Sequence, residues 1–286
     1  MLLFRLQPVA KQLPFTGLST KISLLKHTHH VYLSPITIII TRHYTGSILR
    51  INFALEAWCA FSPHWLQHQE IELLDLDTAT DVKFLPAIKR RRLSALSRLC
   101  LRLAHTIVPE YQGKCVFGSQ HGELVTTQGL LQSIVAGEVV SPAGFSASVH
   151  NTAVGLHSIN NQNTAACTSI AAGVDTLAMC FVEAYGLLKQ DHLQQVLVVF
   201  ADDVLPDELA EFVSINQLHG FAALVRLYDE SSGTGLKRMQ LAQIEKKVEI
   251  VDKDPISPLI GCLIEGHPMC STKGEINDWN WQFDFE

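Results

Sequence analysis

Residues 196–201 read VLVVFA, an unbroken apolar run. A half-buried strand alternates apolar and polar positions, so a run without alternation requires cover on both faces of a sheet. Immediately upstream, Val174, Leu177, Ala178, Phe181, Val182, Tyr185 and Leu188 recur at helical spacing, which predicts a helix feeding that strand. Before the helix, residues 164–172 (TAACTSIAA) are small or β-branched, suiting a strand packed closely against another backbone. Further back come KCVFG at 114–118 as a short buried strand and a helix over 123–136 closed by Gly137. A Pro/Gly/Ser loop at 141–148 and a short helix or turn over 149–159 follow. Downstream, strands are expected at 221–227 and 247–251. At the start, a strand at 51–55 leads into an aromatic loop through Trp58, Phe61 and Trp65, and Leu85-Pro86 opens a helix over 87–105. Helices alternating with short buried strands indicate an α/β layered domain with a mostly parallel sheet.

Charge divides the chain. Of its 286 residues, 47% are hydrophobic and 17% charged, with a net charge of −6, enough apolar material for a packed core. The first 55 residues carry Arg5, Lys11, Lys21, Lys26, Arg42 and Arg50 and no acidic residue, so the rest of the chain is strongly acidic. An acidic domain speaks against nucleic-acid binding through phosphate contacts. The longest apolar run of the head, VYLSPITIII at 31–40, is interrupted by Pro35 and falls short of the ~20 residues of a membrane helix. Residues 1–50 are therefore expected to be a basic extension outside the fold, consistent with an upstream start, with the domain over 51–286.

Seven cysteines form no C-x-x-C pair, and with no export signal in the head they read as reduced thiols of a cytoplasmic protein. Cys262, His267 and Cys270 have no fourth ligand at a recognisable spacing, so neither a metal nor another cofactor is expected. Cys167, His150 and Asp175 supply the residue types of a nucleophile, base and orienter. Yet Cys167 lies within a predicted strand rather than at a helix start, where a thiol is activated. Gly118-Ser119-Gln120-His121-Gly122 is a polar turn after a strand, with the pattern G-S-x-x-G rather than that of a nucleophile elbow. Ser232-Gly233-Thr234-Gly235 is too short for a phosphate loop. The basic run Lys89, Arg90, Arg91, Arg92 reads as a solvated helix face, or as a contact for an acidic partner such as a carrier protein.

Several separated segments occur together and in order: INFALEAWCAFSP from 51, LPAIKRRRLSALSRL from 85, VFGSQHGEL from 116 and SPAGFSASVHNTAVGLHSI from 141. TSIAAGVDTLAMCFVEA from 168, VLVVFADDVLPDEL from 196 and the terminal DWNWQFDFE complete the set. This set resembles the β-ketoacyl synthase-like N-terminal domain family, and within it the chain-length-factor-type proteins of aryl polyene and related fatty-acid-like biosynthesis. The resemblance covers about 51–286. It implies half of a thiolase-like fold, β-α-β-α-β-α-β-β, with a mixed, mostly parallel sheet covered by helices.

The resemblance also locates the nucleophile position. Ketosynthases carry T-A-C-[ST]-S with the cysteine at a helix start. Counting without gaps from Asn151, through Gly155 and Ile159, places that cysteine on Val174, which has no nucleophilic atom. A second register lays residues 165–169 (AACTS) on the same motif and makes Cys167 the nucleophile, at the cost of a seven-residue deletion. Condensing enzymes further supply two histidines from a C-terminal half, and neither His219 nor His267 sits in a matching motif. The resemblance thus implies a non-catalytic partner of a ketosynthase, forming a heterodimer through Thr164, Ala166, Thr168, Ile170 and Ala172 and shaping the acyl pocket. The alternative is a thiol-dependent acyltransferase or hydrolase using Cys167 with His150.

Overall fold

The computed structural model describes residues 49–65, 73–75, 77–190, 194–213, 215–229, 237–245 and 254–284, all within one unit, Gly46–Glu286. Residues 1–48 of the expected basic head, residues 232–235 and the strand expected at 247–251 lie outside the described residues, and Arg50, expected to end the head, instead opens the first strand. In chain order the elements are β1 (Arg50–Phe61), α1 (Ala87–Arg90), α2 (Ala95–Ile107), β2 (Cys115–Gly118), α3 (Leu124–Val135), α4 (Pro142–Ala147), α5 (Thr152–Asn160) and β3 (Cys167–Ile170). They continue with α6 (Thr176–Gln190), β4 (Val196–Asp202), α7 (Asp207–Ala210), β5 (His219–Leu227), β6 (Lys237–Ile244), α8 (Ser257–Glu265), β7 (Met269–Thr272) and β8 (Asp278–Asp284).

The strands form one sheet in the order β3-β2-β4-β5-β1-β6-β8-β7. The apolar run at 196–201 lies in β4, which is buried at every position. Val196, Val198 and Phe200 face a core built with α6 and α8. Leu197, Val199 and Ala201 face a second core built with α2 and α5. A strand between two apolar layers has no solvent face to alternate with, which is why its sequence is uninterrupted.

The mixed sheet covered by helices is as expected, but its parallel share is smaller. β2 runs parallel to β3 and to β4, whereas β1 pairs antiparallel with β5 and β6, β4 with β5, and β8 with β6 and β7. Parallel neighbours require a long crossover, and the helical crossovers α3–α5 and α6 supply it around β2. β7 and β8 are joined by a short connection, which returns the chain antiparallel. β1 also continues through the aromatic segment expected as a loop, because its backbone pairs with β5 as far as Phe61 opposite Gly220.

Two helix boundaries differ from expectation. The helix expected over 87–105 is broken into α1 and α2 at Ser94, whose Oγ accepts from the Ser97 N–H at 2.9 Å and so caps α2. The Arg98 guanidinium reaches back to the carbonyls of Arg90 and Leu93 and holds the break. The expected loop over 141–148 contains α4, capped by the Ser141 hydroxyl with Pro142 in its first turn.

His157 of α5 is buried against the Phe117 ring, 5.3 Å between centroids. Asn161 contacts its Nε2 at 3.0 Å, and Nδ1 has no partner among the described residues. Burial lowers its pKa from 6.5 to about 4. Between those values the unfolded chain binds a proton that the folded chain refuses, so stability falls as pH drops from about 6.5 toward 4. The loss reaches up to about 3 kcal/mol. Urea titrations at pH 7 and pH 5 are expected to show this loss in the wild type and a smaller one in His157→Gln. Equal losses in both proteins would assign the slope to other groups.

Candidate functional site

β3 and β4 both run parallel to β2, so the three strands end on the same side of the sheet. After β2 the chain turns through Ser119, Gln120 and His121. Asp202, at the end of neighbouring β4, inserts its carboxylate into that turn. Its Oδ1 accepts from Ser119 Oγ at 2.6 Å, Gln120 N–H at 2.8 Å and His121 N–H at 3.3 Å. The nest of N–H groups that could attract an anion is thus filled by the chain's own carboxylate. Gly122 follows with φ +56°, and a Cβ there would lie 2.8 Å from the His150 ring, so both conformation and space demand glycine. Glu123, buried beside it, accepts from the hydroxyls of Ser94, Ser97 and Thr126. That carboxylate ties the start of α2 to the start of α3.

The chain leaves β3 through a turn, Gly173–Asp175, that opens α6. Val174 is in this turn, half-buried, at a helix start. Asp175 does not orient a catalytic base: its carboxylate accepts from the Trp279 indole N–H and the Glu275 N–H, fastening the turn to β8 and the loop before it. Beside Val174 is a cavity of about 80 Å³ lined also by Gln120, His121, Asp202, His219 and Lys273. His219 lies opposite Asp202 in the β4–β5 register. Its Nδ1–H donates to the Gln217 carbonyl at 2.7 Å. Asp202 Oδ2 and His219 Nε2 are buried with no hydrogen-bond partner among the described residues. At Val174 this arrangement offers an apolar side chain beside two buried polar acceptors.

Cys167 and His150 are not brought together. Cys167 opens β3, the edge strand. Its sulfur lies 2.8 Å from Cys115 Sγ, 3.6 Å from Ser158 Oγ and 3.7 Å from Asn163 Nδ2. His150 has both ring nitrogens engaged elsewhere: Nε2–H donates to the Ser119 carbonyl at 2.8 Å, and Nδ1 accepts from Ser169 Oγ at 2.7 Å. A base already oriented toward Ser169 is not available to a thiol on the same strand.

The expected interface residues flank and form β3. Thr164 and Ala166 are exposed before it, Thr168 and Ile170 are half-buried within it, and Ala172 is half-buried after it. Among the described residues β3 pairs on one side only, with β2. Of the basic run, Lys89 and Arg90 close α1 while Arg91 and Arg92 lie in the following turn, so the four do not share one helix face. Lys89 donates to Asn160 Oδ1 at 2.8 Å, and Arg91 and Arg92 are exposed.

Sequence reading missed the cavity partners of Val174. Asp202 and His219 are 17 residues apart in sequence and meet through antiparallel pairing. It also missed the apolar surface of α3, which has no buried residue despite its sequence LVTTQGLLQSIV. Leu131, Ile134 and Val135 are 55%, 57% and 89% exposed, and Val139 beyond the helix is 98% exposed. The Cys262 and Cys270 thiols touch, while the His267 imidazole contacts Glu265 at 2.6 Å. Among the described residues no three His, Cys, Asp or Glu side chains are grouped to hold a metal ion, and no helix is long and apolar enough to cross a membrane.

Comparison with known proteins agrees with this architecture. A structure of the ketosynthase ApeO in complex with its chain length factor ApeC from Xenorhabdus doucetiae contains a chain that superposes with a TM-score of 0.66 at 21% identity. The match covers 81% of this chain and 99% of that one. The ishigamide ketosynthase/chain length factor superposes with a TM-score of 0.51 at 16% identity, covering 71% of this chain and 69% of the other. Both share the thiolase-like fold. No curated protein matches the sequence. The family model for the β-ketoacyl synthase N-terminal domain matches residues 63–282. The chain therefore belongs to the β-ketoacyl synthase N-terminal domain family.

Proposed function

We propose that the chain is a non-catalytic, chain-length-factor-like partner of a β-ketoacyl synthase in fatty-acid or polyene-type biosynthesis, paired with it as a heterodimer. The observation that carries this reading is Val174 at the helix start where the resemblance places the catalytic cysteine. A valine there forms no thioester, while its apolar side chain can border a pocket that limits acyl length. The apolar surface of α3 lies on the crossover that leads to β3, an edge strand among the described residues, and exposed apolar residues in such a cluster mark a protein interface. Arg91 and Arg92, free of the helix that holds Lys89 and Arg90, suit contact with an acidic acyl carrier protein.

Co-expression with a ketosynthase of the same biosynthetic gene set, followed by size exclusion with light scattering, is the direct test. A one-to-one complex is expected. The double variant Leu131→Asp/Ile134→Asp is expected to weaken it at least tenfold while leaving the circular dichroism spectrum unchanged, because the substituted side chains contact no core. A chain that remains monomeric beside such ketosynthases would overturn the reading. Within the complex, enlarging the cavity wall with Val174→Ala is expected to shift the product distribution toward longer chains.

A further inference from the structure

Cys115 and Cys167 are register partners on the adjacent parallel strands β2 and β3. Cα atoms of such partners lie within the separation that a disulfide spans. Both thiols are free, and the Cys115 S–H points at the Cys167 sulfur at 2.8 Å. The two sulfurs differ in access. Cys115 is fully buried, whereas Cys167 is partly exposed at the sheet edge.

They also differ in character. The Cys167 sulfur has the Cys115 thiol, the Ser158 hydroxyl and the Asn163 amide as donors around it, and the Ala165 carbonyl as an acceptor at 3.4 Å. The bond from Cys115 above all, with that from Ser158, lowers its pKa to about 6 against the opposing effect of burial. The same contact and its own burial raise the Cys115 pKa. Cys59, Cys100 and Cys180 are buried, and desolvation raises their pKa values. An accessible thiolate beside a buried thiol is the arrangement of an attacking and a resolving cysteine.

We infer that Cys115 and Cys167 form a peroxide-reactive dithiol that closes reversibly to a disulfide between β2 and β3. The Cys167 thiolate attacks one peroxide oxygen. The O–O bond breaks, Cys167 becomes a sulfenic acid, and the departing hydroxide takes up a proton to become water. The Cys115 sulfur then displaces the sulfenic oxygen, an S–S bond forms as the S–O bond breaks, and a second water leaves with the Cys115 proton. Each sulfur is oxidised by one electron and the peroxide is reduced by two. A low-molecular-weight thiol restores the pair by exchange. Because Cys167 lies between Ala166 and Thr168 of the interface proposed above, this chemistry belongs to the chain before it pairs with a ketosynthase.

The test uses the full reduced chain, treated with hydrogen peroxide, blocked with iodoacetamide and cleaved after glutamate under non-reducing conditions. Cleavage at Glu123 and Glu138 separates the two cysteines, and fragmentation distinguishes Cys167 from Cys180. A peptide pair linked through Cys115 and Cys167, lost on adding dithiothreitol, is the expected product. It is resolved from any product of the neighbouring Cys262 and Cys270, whose thiols also touch. Cys115→Ser, which keeps a donor beside Cys167 but cannot form a disulfide, is expected to leave Cys167 as a sulfenic acid trapped by a 1,3-dione, and Cys167→Ser to leave Cys115 reduced at the same dose. In the unsubstituted chain, Cys167 oxidised to the sulfinic acid without linkage, or unmodified at a hundredfold excess of peroxide, would overturn the inference.

Discussion

Trp281→Ala is expected to lower the stability of the folded unit by about 3–5 kcal/mol, the range for removing a fully buried tryptophan. Trp281 is completely inaccessible and stands edge-on to Phe181 of α6 at 5.3 Å. Its indole N–H donates to Thr272 Oγ1 on β7 at 3.0 Å. It also sits between Leu241 of β6 and Cys270 of β7 in the register. Alanine leaves a hole that no single neighbour can fill, and it strips the Thr272 hydroxyl of a donor. For a unit of this size the melting temperature is expected to fall by roughly 6–20 °C. Trp281→Phe keeps most of the volume and is expected to cost less. Urea denaturation followed by circular dichroism reads both, and a loss below about 1 kcal/mol for Trp281→Ala would mean that β8 is not integral to the core.

Asp202→Ala is expected to cost about 3 kcal/mol, although Asp202 is small and lies at the end of its strand. Its buried Oδ1 satisfies the Ser119 hydroxyl and two backbone N–H groups. Each such bond to a charged acceptor contributes about 1.5–3 kcal/mol, and these contributions are not additive. Alanine leaves the three donors without that acceptor. Asp202→Asn retains an acceptor oxygen and is expected to recover about half of the loss. Hydrogen exchange at the Gln120 and His121 amides separates this account from a general loosening: those two amides should exchange faster in Asp202→Ala while those of β1 stay protected. Uniform acceleration across the sheet would refute a local role.

The fold was legible where chemistry repeats locally. The uninterrupted apolar residues of β4 and the helical recurrence in α6 each predicted their own element, because a two-faced core and a one-faced helix leave different periodicities. Ser94 and Ser141-Pro142 carried recognisable capping chemistry, but the apolar recurrence across 87–105 and the small residues of 141–148 masked it. β6 has Met239 and Leu241 on the core side and Arg238 and Gln240 opposite, an alternation too short to stand out in the sequence.

The candidate site divides in the same way. The absence of a nucleophile at Val174 follows from residue order, since a valine side chain remains unreactive in any fold. Local order cannot bring Asp202 into the Ser119 turn, set His219 opposite Asp202, or place Cys115 against Cys167. Those contacts are settled by strand order and register, which depend on how loops close and which faces bury together over the whole sheet. The sequence by itself determined the layered α/β class and the buried central strand, because each resides in side-chain type and spacing. Tertiary structure alone decided the smaller parallel share of the sheet, the polar cavity beside Val174 and the exposed apolar face of α3. Each is a relation between segments far apart in the chain.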